Sequence, residues 1–177
     1  MKKSILLVDD HPVFRKGLAS LLDDEEDMLV IGEASDGKSA VGLVEDLSPD
    51  IVVMDVTMPG VNGIEATRQI IAEHPQTQIV ALSIHSEKQF VQDMLKAGAS
   101  GYILKESVPE ELVKGVRSVM QGEGYLSPAI TGIVVSQFRE SLSSDLLLHE
   151  AESEILTTKL YPPHIPETHV HRQRLID

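Results

Sequence analysis

Five short apolar runs, rich in β-branched residues and separated by stretches with helical spacing, constrain this 177-residue chain more than any other feature. They are Ile5-Leu6-Leu7-Val8, Leu29-Val30-Ile31, Ile51-Val52-Val53-Met54, Ile79-Val80-Ala81-Leu82 and Gly101-Tyr102-Ile103-Leu104. Runs without polar alternation are expected of strands buried on both faces. Between them apolar residues recur at helical intervals, as in Val13, Leu18, Leu21 and Leu22, or Ile64, Thr67, Ile70 and Ile71. Helix starts are expected after His11-Pro12, Asp36-Gly37, Asn62-Gly63, Ser86 and Ser107-Val108-Pro109, where capping residues or an early proline stand. The order is strand then helix, five times. Right-handed crossovers would wind such a chain onto both faces of one five-stranded parallel sheet, an α/β fold whose ligands sit outside the carboxyl ends of the strands.

That rule directs attention to the residue after each run. The first is followed by Asp9-Asp10, the third by Asp55, the fourth by Ser83 and the fifth by Lys105. Five polar side chains from four strands are therefore expected at one sheet edge. Three carboxylates in one place repel one another unless a hard cation neutralises them, and magnesium is the natural candidate for such oxygen donors. A carboxylate protruding beside that ion suits nucleophilic attack on a phosphoryl group, for which Asp55 is the candidate. Phosphoryl transfer needs positioning and charge neutralisation more than covalent chemistry, and the Lys105 ammonium and Ser83 hydroxyl suit the phosphoryl oxygens.

The segments VDDHP, MDVTMPGVNG, ALSIHS and GASGYILK, in this order, resemble the receiver domain of two-component response regulators of the NarL/FixJ, or LuxR, type. The resemblance covers about residues 1–124 and implies a doubly wound (βα)5, flavodoxin-like receiver fold. It further implies that Asp55 accepts a phosphoryl group from a sensor histidine kinase. Asp9, Asp10, Asp55 and the backbone carbonyl of Thr57 would hold Mg2+, and Ser83 and Lys105 would bind the phosphoryl oxygens. Tyr102 would be the switch aromatic that turns inward as Ser83 moves, biasing a surface through which the protein dimerises on activation. By the same resemblance, Thr57 and His85 influence how fast the phosphoryl group is lost. The chain would be a signalling switch that catalyses only its own phosphorylation and dephosphorylation, acting in transcription regulation.

Plainer readings stand beside these. Asp9-Asp10 alone could be a capping pair, Lys105 a surface lysine and Tyr102 a packed ring. Gly60, Asn62 and Gly63 read as a turn, because no GxxxxGK[ST] phosphate loop occurs. An aspartate-nucleophile phosphatase of the haloacid-dehalogenase type would need a second aspartate two residues after Asp55, where Thr57 stands. A receiver-like interaction module that is never phosphorylated is the third reading.

Beyond residue 124 the pattern changes. Ser127 to Leu142 reads as a further helix, and 125–154 as helix and linker. Residues 155–177 contain Pro162, Pro163 and Pro166 and no periodic apolar face, so an extended tail is expected there. This tail resembles the segment preceding the ATPase domain of MalT-like LuxR-type regulators, and would be the start of an output module not present in the chain. His169 and His171 form an HxH pair without a third rigid ligand, which argues against a metal site. No helix-turn-helix pattern follows the receiver segment.

The formal charge of −13 would repel a polyphosphate backbone, so no direct nucleic-acid binding is expected; DNA would be reached only through a separate output domain. No apolar run approaches the ~20 residues of a membrane span, so no membrane association is expected. The absence of cysteine is compatible with a reducing compartment, and the protein reads as cytoplasmic.

Overall fold

The computed structural model describes residues 2–136, 138 and 139. Six strands alternate with helices: β1 (Lys3–Val8), α1 (Pro12–Asp23), β2 (Met28–Ala34), α2 (Gly37–Leu47), β3 (Ile51–Asp55), α3 (Gly63–Glu73), β4 (Gln78–Ser83), α4 (Lys88–Ala97), β5 (Gly101–Leu104), α5 (Val108–Met120) and β6 (Tyr125–Leu126). A single 3-10 turn, Lys105–Ser107, joins β5 to α5, and a further helix, α6, runs over 128–136. The strands form one parallel sheet in the order β2-β1-β3-β4-β5-β6. This is the doubly wound arrangement that the five runs predict, with a short sixth strand added beside β5. Its strand order reverses between β1 and β3, where such sheets open a crevice.

Each buried strand feeds two cores, because successive side chains point to opposite faces. Leu6, Val8, Val52, Met54, Ile79, Ala81, Tyr102 and Leu104 meet residues of α2, α3 and α4 on one face. Ile5, Leu7, Val53, Val80, Leu82 and Ile103 meet Leu18 and Leu22 of α1 and Leu112 and Val116 of α5 on the other. The N-caps of α2 and α3 carry the expected polar groups: Asp36 accepts from the amide of Ser39, and Asn62 from that of Glu65, each at 2.9 Å. Pro12 and Pro109 occupy the first turns of α1 and α5.

Two expectations about burial need correction. The second run is not buried on both faces: within β2 only Met28 and Ala34 are buried, and Leu29 is 45% exposed. The reason is that β2 is an edge strand, paired with β1 alone and with a register shift between Ile5 and Leu6. Val13 does not belong to the apolar face of α1 and is 84% exposed. Five residues separate it from Leu18, which places the two about 140° apart around the helix.

The compact unit that contains the sheet extends to Ser136. Tyr125 and Leu126 pair with Gly101 and Tyr102, and Ile130 of α6 is fully buried in the core that holds Tyr102 and Leu104. The expected tail at 155–177, its MalT-like resemblance, its histidine pair and the expected linker lie outside the described residues. Among the described residues no helix is long and apolar enough to cross a membrane.

Candidate functional site

Parallel pairing brings four strand ends into line. Asp9 follows β1, Asp55 ends β3, Ser83 ends β4 and Lys105 follows β5. Asp9, Asp55 and Ser83 are at most 1% exposed, so the sheet holds two carboxylates and a hydroxyl away from bulk water. The Lys105 ammonium reaches between the two carboxylates, donating to Asp9 Oδ2 and to Asp55 Oδ2 at 2.7 Å each. It also lies 4.9 Å above the ring of Phe14 on α1, a cation–π contact that supports it from the apolar side.

The remaining carboxylate oxygens are unequally satisfied. Asp9 Oδ1 accepts from the His11 amide at 2.8 Å, and Asp55 Oδ1 from the Thr57 amide at 3.1 Å. Asp10 Oδ1 is buried with no hydrogen-bond partner. The His11 ring nitrogen Nδ1 lies 2.8 Å from that oxygen without a hydrogen bond to it. One ligand atom from each of Asp9, Asp10, His11 and Asp55 falls within a 4.8 Å cluster. Three carboxylates against one ammonium leave two negative charges, and one buried oxygen lacks a donor. That donor set, hard and oxygen-dominated, fits a divalent cation such as Mg2+.

Burial pushes the Asp55 carboxyl above its usual range, against the opposing pull of the Lys105 hydrogen bond and with the Asp9 charge acting in the same direction as burial. Burial alone would lower Lys105, but the hydrogen bonds to Asp55 and Asp9 outweigh it and the ammonium is held above its usual value. The asymmetry follows from the geometry: one cation has two anionic partners, whereas each anion has half a cation.

Ser83 and Tyr102 form an adjoining layer. Ser83 lies one residue beyond Leu82, the register partner of Asp55, and its hydroxyl accepts from the His85 amide at 2.9 Å. The Tyr102 ring is fully buried, and its hydroxyl donates to the His85 carbonyl at 2.8 Å. The His85 ring stacks on Phe90 at 4.3 Å. Thr57 is exposed on the loop after β3. The structure thus brings Asp9, Asp10, Asp55 and Lys105 together, ties Thr57 to Asp55 through its amide, and sets Ser83 and Tyr102 alongside.

Three further residues shape the site, Gly63 and His11 from within the quoted segments and Arg15 from outside them. Gly63, read only as part of a turn, begins α3 so close to β3 that a β-carbon there would overlap the backbone carbonyl of Asp55. Arg15 donates from Nη1 to the carbonyl of Asp9 and from Nε to Glu33 at 2.7 Å, clamping the loop that carries the acidic pair. His11, which stands in VDDHP directly before α1, joins the acidic cluster. An arginine one turn into the helix after Asp9-Asp10 was the available signal for the clamp; its acceptor depends on the folded path of β2.

The chain belongs to the response regulator receiver domain family, whose match spans residues 5–117. It is 40% identical over 144 residues to the transcriptional regulatory protein DegU of Brevibacillus brevis, covering 81% of this chain and 61% of that one. It is 41% identical over 156 residues to the transcriptional regulatory protein LiaR of Bacillus subtilis, covering 86% of this chain and 74% of that one. Among solved structures, the crystal structure of a LuxR-family two-component response regulator from Aurantimonas sp. SI85-9A1 matches with a TM-score of 0.74 and 38% identity, over 77% of this chain and 98% of that chain. The chain is therefore a receiver domain of the two-component response regulators, a family of signalling proteins, and the haloacid-dehalogenase reading is set aside. It spans somewhat over half to three quarters of the length of these two curated relatives.

Proposed function

We propose that Asp55 is a phosphoacceptor, charged by a sensor histidine kinase, and that its phosphorylation switches the surface through which the protein dimerises. In the transfer, a carboxylate oxygen of Asp55 attacks phosphorus as the bond from phosphorus to the kinase imidazole nitrogen breaks. The nitrogen keeps the electron pair and an acyl phosphate remains on Asp55. Asp9, Asp10, Asp55 and the Thr57 carbonyl would hold Mg2+, which when bound neutralises charge on the phosphoryl oxygens. Lys105, already within hydrogen-bond reach of Asp55, supplies a fixed positive charge for the same oxygens. Ser83 turns from the His85 amide toward the new dianion, and Tyr102, whose ring already lies inward with its hydroxyl on the His85 carbonyl, repacks behind it, which biases a two-state surface. Ser83, Lys105 and Asp55 thus make the chain catalyse its own phosphorylation and dephosphorylation.

Within this reading residues 1–124 are the receiver, and β6 and α6 continue its compact unit to Ser136. The relatives named as transcriptional regulatory proteins support a transcriptional role; within this reading the protein is cytoplasmic and DNA is contacted through a separate output domain.

The observation that carries the reading is a lysine bridging two buried aspartates beside a third carboxylate with a buried oxygen that accepts no hydrogen bond. Acetyl phosphate and Mg2+ should add one phosphoryl group to the intact mass, and Asp55→Asn should abolish the addition. An unchanged wild-type mass would favour the interaction module that is never phosphorylated; an adduct surviving Asp55→Asn would move the acceptor elsewhere.

A further inference from the structure

The ladder outside β5 is too short for the strand it serves. Tyr125 and Leu126 of β6 pair with Gly101 and Tyr102, after which residue 128 already belongs to α6. Leu104 lies two residues beyond Tyr102, directly before Lys105, and is buried. Its amide has no strand left to pair with on that side. Ser127 takes the place of the missing residues. Its amide donates to the Tyr102 carbonyl at 2.9 Å, and its hydroxyl oxygen accepts from the Leu104 amide at 3.1 Å. The hydroxyl donates in turn to the carboxylate of Glu111 on α5.

Ser127 is fully buried, so without its hydroxyl the Leu104 amide would have to move, stay unpaired or take in a water. On the inner side the register partner of Leu104 is Ser83, and the next residue along is the lysine that reaches Asp9 and Asp55. The Ser127 carbonyl meanwhile accepts from the amides of Ile130 and Thr131, at 2.8 and 3.2 Å, and so starts α6. One residue therefore anchors both the backbone from which Lys105 extends and the first turn of the helix that follows.

We propose that Ser127, oriented by Glu111, is a positioning residue for Lys105 and sets how fast Asp55 takes up a phosphoryl group. This rests on the phosphoacceptor reading above. Misplacing a charge-stabilising ammonium by a fraction of an ångström costs rate without removing any group that touches the substrate. Ser127 lies outside every motif of the site.

The test is the rate of phosphoryl addition from acetyl phosphate and Mg2+, read by intact mass on the full chain. Ser127→Ala should slow it by roughly tenfold, Ser127→Thr should restore most of the rate, and Glu111→Gln should slow it by a smaller factor. Repeating Ser127→Ala in a Lys105→Ala background separates positioning from general damage, because residues acting through one another are not additive. No further slowing in that background supports the proposal; the same slowing factor in both backgrounds overturns it. Equal rates for wild type and Ser127→Ala, or a Ser127→Thr variant as slow as Ser127→Ala, also overturn it. Should Ser127→Ala fail to fold, Glu111→Gln decides: a slowed rate supports the proposal and an unchanged rate overturns it. A wild type that takes no phosphoryl group fails the phosphoacceptor reading itself, whereas a labelled wild type with an unaffected Ser127→Ala fails the positioning role alone.

Discussion

Strand β3 has an aspartate–lysine pair at each end, and the two pairs behave oppositely. Before its first residue, Asp50 accepts from Lys3 Nζ at 2.8 Å, the Ser4 amide at 2.9 Å and the Ser4 hydroxyl at 2.8 Å. Its side chain is 38% exposed, so water shares the task, and these donors outweigh the cost of burial to hold the carboxyl down at about 2. At the other end, Asp55 is nearly sealed from solvent, shares its lysine with Asp9 and is held above the usual range. The same two residue types thus give a satisfied staple in one place and a strained carboxylate in the other. Solvent access and a second carboxylate make the difference. A carboxylate that is poorly served in the resting fold is one that gains from a cation or from chemistry.

The largest effect is expected where backbone packing is tightest. Gly63→Ala would drive a β-carbon into the Asp55 carbonyl, an atom of a buried strand that cannot yield cheaply, and should cost about 3 kcal/mol or more. Gly122, which lines the pocket beside Asp50, has φ 81° but open space around its missing β-carbon. Gly122→Ala should cost only the left-handed backbone penalty, about 1 kcal/mol. Urea unfolding of both variants checks the contrast, and equal losses would remove the distinction between the two ends.

The Asp55 end of this contrast was legible in the sequence, for a physical reason. A strand buried on both faces must be apolar, so the first polar residue after each run marks the sheet edge, and Asp9, Asp55, Ser83 and Lys105 announce themselves. What stayed hidden depends on lateral position. Nothing in Leu29-Val30-Ile31 says that it lies at an edge with one neighbour, and a two-residue strand such as Tyr125–Leu126 has too little length to show a period. Ser127 did mark a helix start, being followed by Pro128, yet its bond to Leu104 joins residues 23 apart and follows from where β6 ends. Asp50 carries no such signal, because its partners, Lys3 and Ser4, meet it only once β1 lies against β3.

Replacing each aspartate by asparagine should move stability in opposite directions. In the absence of divalent ions, Asp55→Asn removes a desolvated charge and its repulsion with Asp9, while Lys105 keeps Asp9 as partner. The asparagine side-chain oxygen can still accept from the Thr57 amide, so that hydrogen bond need not be lost. A gain of about 1 to 2 kcal/mol is expected. Asp50→Asn breaks a satisfied carboxylate and should lose about 1 kcal/mol. Thermal melts with and without MgCl2 sharpen the comparison, since the ion should stabilise the wild type and leave Asp55→Asn nearly unmoved. Two shifts of the same sign would mean that burial does not separate the pairs.

The smallest effect is confined to acid. A carboxyl whose folded value lies near 2 and whose ordinary value is 3.8 binds fewer protons folded than unfolded across that interval. Its stabilisation is present in full above about pH 4 and drains away as pH falls toward 2. With more than a third of the side chain exposed, solvent and salt reduce what the shift is worth to a fraction of about 1 kcal/mol. Asp55 runs the other way: a raised carboxyl favours the folded state most when protonated, so its contribution declines as pH rises through its folded value. Melting temperature against pH should therefore fall less steeply between pH 4 and 2 for Asp50→Asn than for the wild type. The same comparison for Asp55→Asn should diverge from the wild type on the alkaline side of pH 4. A wild-type profile that Asp50→Asn leaves unaltered would show that the Lys3 and Ser4 contacts hold Asp50 no better in the folded chain than water does in the unfolded one.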